Sequence, residues 1–106
     1  MNQELITLNE VLNEGSTLFI YREELTGNWV SYGYSAYLLS RIEHVNNLSG
    51  FSDTMQMPFV CITASDFRKV FKDRLTVVGP ESDNYRFSTT VSVDSESYRR
   101  WVDGLK

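Results

Sequence analysis

Thr17-Leu-Phe-Ile-Tyr-Arg-Glu-Glu-Leu-Thr-Gly-Asn-Trp-Val-Ser-Tyr32 is the stretch on which the fold turns. Its first six residues are apolar on both alternating faces, the pattern of a strand covered on two sides. Leu25-Thr-Gly-Asn28 carries turn chemistry, with Gly27 free to take a positive φ, and Trp29-Val-Ser-Tyr32 returns as the second strand of a hairpin. Such a central strand needs further structure on each face.

Upstream, Leu5, Leu8, Val11 and Leu12 recur at helical spacing, Asn2 is placed to cap their N-terminus, and Gly15 stands where a helix end commonly turns left-handed. Downstream, Ser35 begins a second helix as its cap, and Leu38, Leu39, Ile42 and Val45 fall on one face. Asn46 to Thr54 is polar and Gly/Ser-containing, and reads as a loop longer than the usual connection of about four to six residues. Met57 to Ile62 is a continuous apolar strand. Thr63, Ser65 and Asp66 then offer caps for a helix with Phe67, Val70 and Phe71 on its inner face. Leu75 to Val78, closed by Gly79-Pro80, reads as another strand, so that strand, helix and strand form a parallel β-α-β unit. Tyr85, Phe87, Thr89, Val91 and Val93 alternate with polar residues, as in a strand with one wet face near a sheet edge. Tyr98, Trp101, Val102 and Leu105 make the stripe of a last helix after Asp94 and Ser95.

These elements predict an α+β (mixed α/β) fold, a single domain over residues 1–106 with one small mixed sheet of about five strands and about four helices. The composition agrees: 42% of the residues are hydrophobic, enough for a core, and 23% are charged, far from the balance of a disordered chain. A net charge of −4 argues against coating nucleic acid or anionic membrane, although a local basic patch is compatible with it. A single cysteine, Cys61, cannot form an internal disulfide and fits a reducing compartment, so a cytoplasmic location is expected. The acidic N-terminal stretch does not read as a signal peptide, and no apolar run approaches the roughly 18 residues of a membrane span.

Catalytic patterns are missing. His44 is the only histidine, and Gly33-Tyr-Ser-Ala-Tyr37 lacks the second glycine of a nucleophile elbow, so Ser35 reads as a helix cap. Cys61 lies in an apolar strand, where a thiol is inert. One histidine and one cysteine cannot assemble a zinc site, and Glu81, Asp83, Asp94 and Glu96 read as turn and cap residues. Gly-rich phosphate loops are absent. The residues therefore predict no enzyme, no metal and no cofactor. Two features point to binding. Arg68, Lys69, Lys72 and Arg74 gather basic charge on one helix. Tyr21, Trp29, Tyr32, Tyr34 and Tyr37 supply more rings around the hairpin than one pleated face hides, so some are expected to meet a partner.

In order, Leu18-Phe-Ile-Tyr-Arg22, Gly27-Asn-Trp-Val-Ser-Tyr32, the helix from Ser35, Val60-Cys-Ile62, Phe67 to Lys72 and Leu75-Thr-Val-Val78 resemble the N-terminal mismatch-recognition domain of MutS-type DNA mismatch repair proteins. That resemblance, over about residues 16–80, is one of pattern. It implies that Trp29 takes the place of the ring that stacks on a mispaired base, and that Ser31 stands where the family has a hydrogen-bonding glutamate. Asn28, Trp29 and Ser31, with Arg68, Lys69 and Lys72, then form the expected nucleic-acid or ligand site. Ser31 departs from the family in lacking a charged acceptor. The expected function is a non-catalytic binding module, with nucleic acid or another protein as partner and no membrane. The alternative is an interaction or dimerisation module, a homodimer included, that uses the Tyr85 to Val93 edge strand or the hairpin aromatics.

Overall fold

A computed structural model of the chain describes residues 3–42, 46–78, 84–88 and 92–106, the side chains of 72–78 excepted. Among the described residues, helices α1 (Gln3–Val11), α2 (Gly33–Ser40), α3 (Ala64–Val78) and α4 (Ser95–Leu105) surround strands β1 (Thr17–Arg22), β2 (Trp29–Tyr32), β3 (Leu48–Ser52), β4 (Met57–Ile62) and β5 (Asn84–Ser88). The strands form one antiparallel sheet in the order β3-β4-β2-β1-β5. The fold is α+β. Asn2, His44, Val45, Gly79, Pro80, Glu81, Asp83, Thr89 and Val91, to which the sequence assigns roles, lie outside the described residues.

The hairpin forms as the turn chemistry demands. Glu23 N–H donates to the Asn28 carbonyl at 2.8 Å, Gly27 N–H donates to the Glu23 carbonyl at 2.8 Å, and Gly27 takes φ +74°. The pleat then sorts the side chains. Leu18 and Ile20, with Trp29, Val60, Ile62, Tyr85 and Phe87, enter the main core under α2 and α3. Phe19 and Tyr21, with Val30, Tyr32, Phe59 and Cys61, lie on the opposite face, where Ile6 of α1 packs on them. Both faces of β1 are thus covered, which is why it carries no polar alternation.

Aromatic rings fill the main core. Trp29 stacks on Phe67 at 3.9 Å between centroids and 8° between planes, and Phe71 stacks on Phe87 at 4.7 Å and 7°. Thr63 caps α3 by accepting the Asp66 N–H through Oγ1 at 3.2 Å, and Asp94 caps α4 by accepting the Ser97 N–H at 3.0 Å. The ring of Tyr98 then lies 4.5 Å from Tyr34, and that of Trp101 lies 5.4 Å from Tyr37, which docks α4 on α2.

Three local expectations are corrected. Leu75 to Val78 is not a strand: its backbone continues α3, and no parallel unit forms. A parallel partner for β4 would need a free edge, and both edges of β4 are taken, by β2 and β3. Asn46 to Thr54 is not all loop, because Leu48–Ser52 pairs with β4 as the edge strand β3. Gly50 permits this pairing: a Cβ there would meet the Phe59 ring at 3.0 Å. The third correction concerns α1. Leu5, Leu8 and Val11, with Leu12 just past its end, are exposed apolar residues, at 45%, 54%, 75% and 70%, while Ile6 and Glu10 are buried. The Tyr85 strand sits at an edge with Tyr85 and Phe87 inward, as its alternation indicates.

With Trp101→Phe leaving Trp29 as the only indole, the native emission is blue-shifted and resists acrylamide, and unfolding in urea moves it to the red. Adding Phe67→Ala costs about 3–5 kcal/mol in urea titration, the usual loss for a buried phenylalanine. A native Trp29 emission already at the solvent-exposed position would contradict the stacked core.

Candidate functional site

Where α1, β1 and α2 meet, the chain buries polar groups. Ile6, Glu10 and Asn13 follow one another at i, i+4 and i+7, so one stripe of α1 and the turn after it faces inward. The Ser35 hydroxyl donates to Glu10 Oε1 at 2.5 Å, and Ser35 N–H donates to Oε2 at 3.4 Å. Asn13 Nδ2 donates to the Thr17 carbonyl at 2.8 Å, and Gly15 N–H donates back to Asn13 Oδ1 at 2.9 Å. Gly15, at φ +90°, passes so close to Val93 that a Cβ would approach it to 3.1 Å.

Glu10 thereby caps a helix other than its own. The first turn of α2 has no side-chain cap at Tyr32, and the Glu10 carboxyl accepts its N–H groups instead. Ser35 is not the cap expected from the sequence. It lies within α2, fully buried, and relays between Glu10 and β1, accepting the Phe19 N–H through Oγ at 2.8 Å. Ser31 completes the pattern by donating its hydroxyl to the Phe19 carbonyl at 2.8 Å. Two serine hydroxyls thus satisfy the backbone of Phe19 where the β1–β2 ladder, which pairs Tyr21 with Val30 and Arg22 with Trp29, gives way to the α2 junction.

The residues expected to bind nucleic acid are not gathered in one place. Trp29 is 6% exposed, and the ring face that would receive a base carries Phe67. Ser31 is buried with its hydroxyl committed to Phe19. Asn28 closes the hairpin, half-buried, and its N–H donates to Thr26 Oγ1 at 3.2 Å. Arg68 and Lys69 are exposed on α3, and because their neighbour Phe67 points into the core, helical geometry turns them away from Trp29. Lys72 belongs to α3 with its side chain outside the described part. The hairpin aromatics are likewise inside: Tyr21 is buried, and Tyr32, Tyr34 and Tyr37 are half-buried. The pleat and α2 distribute them over both layers, with Tyr21 and Tyr32 on the face opposite the main core.

Among the described residues, the second face of the sheet is only partly covered. α1 crosses it as a ridge, with a groove on each flank. One, of about 450 Å³, is lined by Glu4, Thr7, Leu8, Val11, Thr54 and Met55. The other, also about 450 Å³, holds Asn9, Phe19, Tyr21 and Arg86. A cleft of about 380 Å³ over β2 and β4 holds Glu23, Tyr32, Phe59 and Cys61. Burial first, and then the Glu23 carboxylate, push the Cys61 thiol up, so it stays protonated and a poor nucleophile. Among the described residues no group of three His, Cys, Asp or Glu side chains could hold a metal ion, and no helix is long and apolar enough to cross a membrane.

The leucine spacing picked out α1 and misassigned its inner face. The signal for the buried stripe was Ile6, Glu10 and Asn13 at helical spacing, which a search for apolar periodicity alone passes over. No family model matches the sequence, and no curated protein or solved structure matches the chain.

Burial raises the Glu10 carboxyl from 4.5 to about 7 against the opposing hydrogen bonds of Ser35 and Asn13. Below pH 4.5 the group is neutral in folded and unfolded chains alike, so it exacts no ionisation penalty. Between pH 4.5 and about 7 the unfolded chain ionises while the fold holds its proton, so stability falls as pH rises. Above that window the loss is constant, at about 3 kcal/mol. Glu10→Gln removes this dependence. The difference in urea stability between wild type and variant therefore shifts in favour of Gln by about 3 kcal/mol from pH 4.5 to pH 8. Parallel stability profiles for the two proteins would show that Glu10 is not held in this way.

Proposed function

We propose that the chain is a non-catalytic protein-interaction module and that its recognition element is the outer side of α1. The observation that carries this is the exposure of Leu8, Val11 and Leu12 at 54%, 75% and 70% on a helix whose other side is locked into the fold. Solvent-facing leucines scattered singly need no explanation, but three within five positions beside an apolar groove form a patch of the kind that interfaces use. Ile6 and the Glu10 network hold the helix in place, so the patch is presented on a pre-organised surface and binding need not order it.

The nucleic-acid alternative draws on Arg68 and Lys69, but stacking on Trp29 would first require prising its ring from Phe67. The protein-binding reading asks for no opening of the core.

Selection from a displayed random-peptide library on the wild-type protein, followed by rebinding to Leu8→Asp, tests the assignment. Leu8 is outside the core, so the variant folds with a thermal midpoint within a few degrees of the wild type. The expected outcome is enriched peptides that lose binding to Leu8→Asp. Peptides indifferent to that change, or no enrichment, would remove α1 as the recognition element.

A further inference from the structure

We infer that the occupant of the groove beside α1 is a basic amphipathic helix of another protein, which packs leucine-like side chains on Leu8, Val11 and Met55 and sets cationic side chains against Glu4, Glu14 and Asp53. It rests on the interaction reading above and adds the partner's chemistry. Leu8, Val11 and Met55 supply the apolar part of the groove's lining, together with Thr7 and Thr54. Glu4 lines the groove as well, and two exposed carboxylates adjoin its lining along the chain: Asp53 precedes Thr54, and Glu14 follows Val11 by three positions. No lysine, arginine or histidine occurs between residues 1 and 21, although the chain has ten Lys and Arg in all. Arg86 lies in the groove on the other flank of the helix.

This one-sided charge discriminates among occupants. A second copy pairing α1 with α1, in either direction, brings acid against acid with no base on the helix to offset it, and like charges across an interface disfavour the pair. An anionic membrane or a nucleic acid meets the same repulsion, since both are bound through lysine and arginine. A basic amphipathic helix satisfies the apolar lining and the carboxylates beside it together, and a groove flanking a helix ridge accepts another helix by ordinary side-chain interdigitation.

The test uses three labelled peptides of about 18 residues, long enough to form helix on binding. One has Leu at helical spacing with Lys elsewhere, the second has Glu in place of Lys, and the third is a scramble of the first. Fluorescence anisotropy against the full chain should show binding of the Leu/Lys peptide, weakened by salt, with the Leu/Glu peptide and the scramble at least about tenfold weaker. Glu4→Lys/Glu14→Lys should reverse the order of the first two peptides. Leu8→Asp/Leu12→Asp should weaken the Leu/Lys peptide on the order of a hundredfold, although it makes the protein more acidic. Bulk charge attraction would do the opposite.

Equal binding of the Leu/Lys and Leu/Glu peptides would overturn the basic-partner assignment and leave the interaction reading standing. Equal binding of the scramble would reduce the effect to net charge and overturn it too. Self-association by sedimentation that Leu8→Asp abolishes would make a second copy the occupant. If no peptide binds and the library selection also fails, both readings fall together.

Discussion

The buried Glu10 carboxyl is the constraint around which the rest of the molecule is arranged. It receives the Ser35 hydroxyl at 2.5 Å and the first N–H groups of α2, so one side chain of α1 terminates another helix. Ser35 in turn holds the Phe19 N–H of β1. Three elements are thereby joined by a single network in which no described buried side-chain polar atom lacks a partner. A carboxyl in such a place is stabilised as the neutral acid by desolvation and as the anion by its donors, and desolvation is the larger effect.

This arrangement has a geometric consequence. Gly33, at φ +60°, leaves room for Glu10 because a Cβ there would come within 2.9 Å of Oε2. With Glu10 turned inward and Asn13 tied to Thr17, the rotation of α1 about its axis is determined, and Leu8, Val11 and Leu12 must face out. The apolar patch is therefore a consequence of a polar network on the opposite side of the same helix. A helix that obeyed its apolar periodicity alone would have buried the leucines and exposed the glutamate.

Much of the architecture was legible from the chain. The double-faced apolar run of β1, the turn at Gly27, the continuous apolar β4 and the stripe of α4 each carry a pattern that one structure satisfies. The misread segments share a cause. Leu75-Thr-Val-Val78 has β-branched residues, but a capped helix already running continues at a cost of only tenths of a kcal/mol per such residue, and β4 has no edge left to pair with a new strand. Leu48-Ser-Gly-Phe-Ser52 lacks alternation because an edge strand is held by its backbone hydrogen bonds to β4 and by the fit of Gly50 to Phe59. Trp29 and Ser31 look like ligand groups in isolation, yet their partners Phe67 and Phe19 come from elsewhere in the chain.

By itself, the sequence determined most of the kinds of element, the hairpin and the aromatic content of the core, because each depends on residues close together in the chain. The tertiary structure decided which side of α1 is inside, where Trp29 and Ser31 spend their chemistry, and that the described residues cover the second sheet face only in part. Those outcomes depend on contacts between residues such as Glu10 and Ser35 or Trp29 and Phe67, whose pairing becomes defined only when the strands bring them together. Local periodicity reports what a helix can bury, and the long-range donors and acceptors choose which side it does bury.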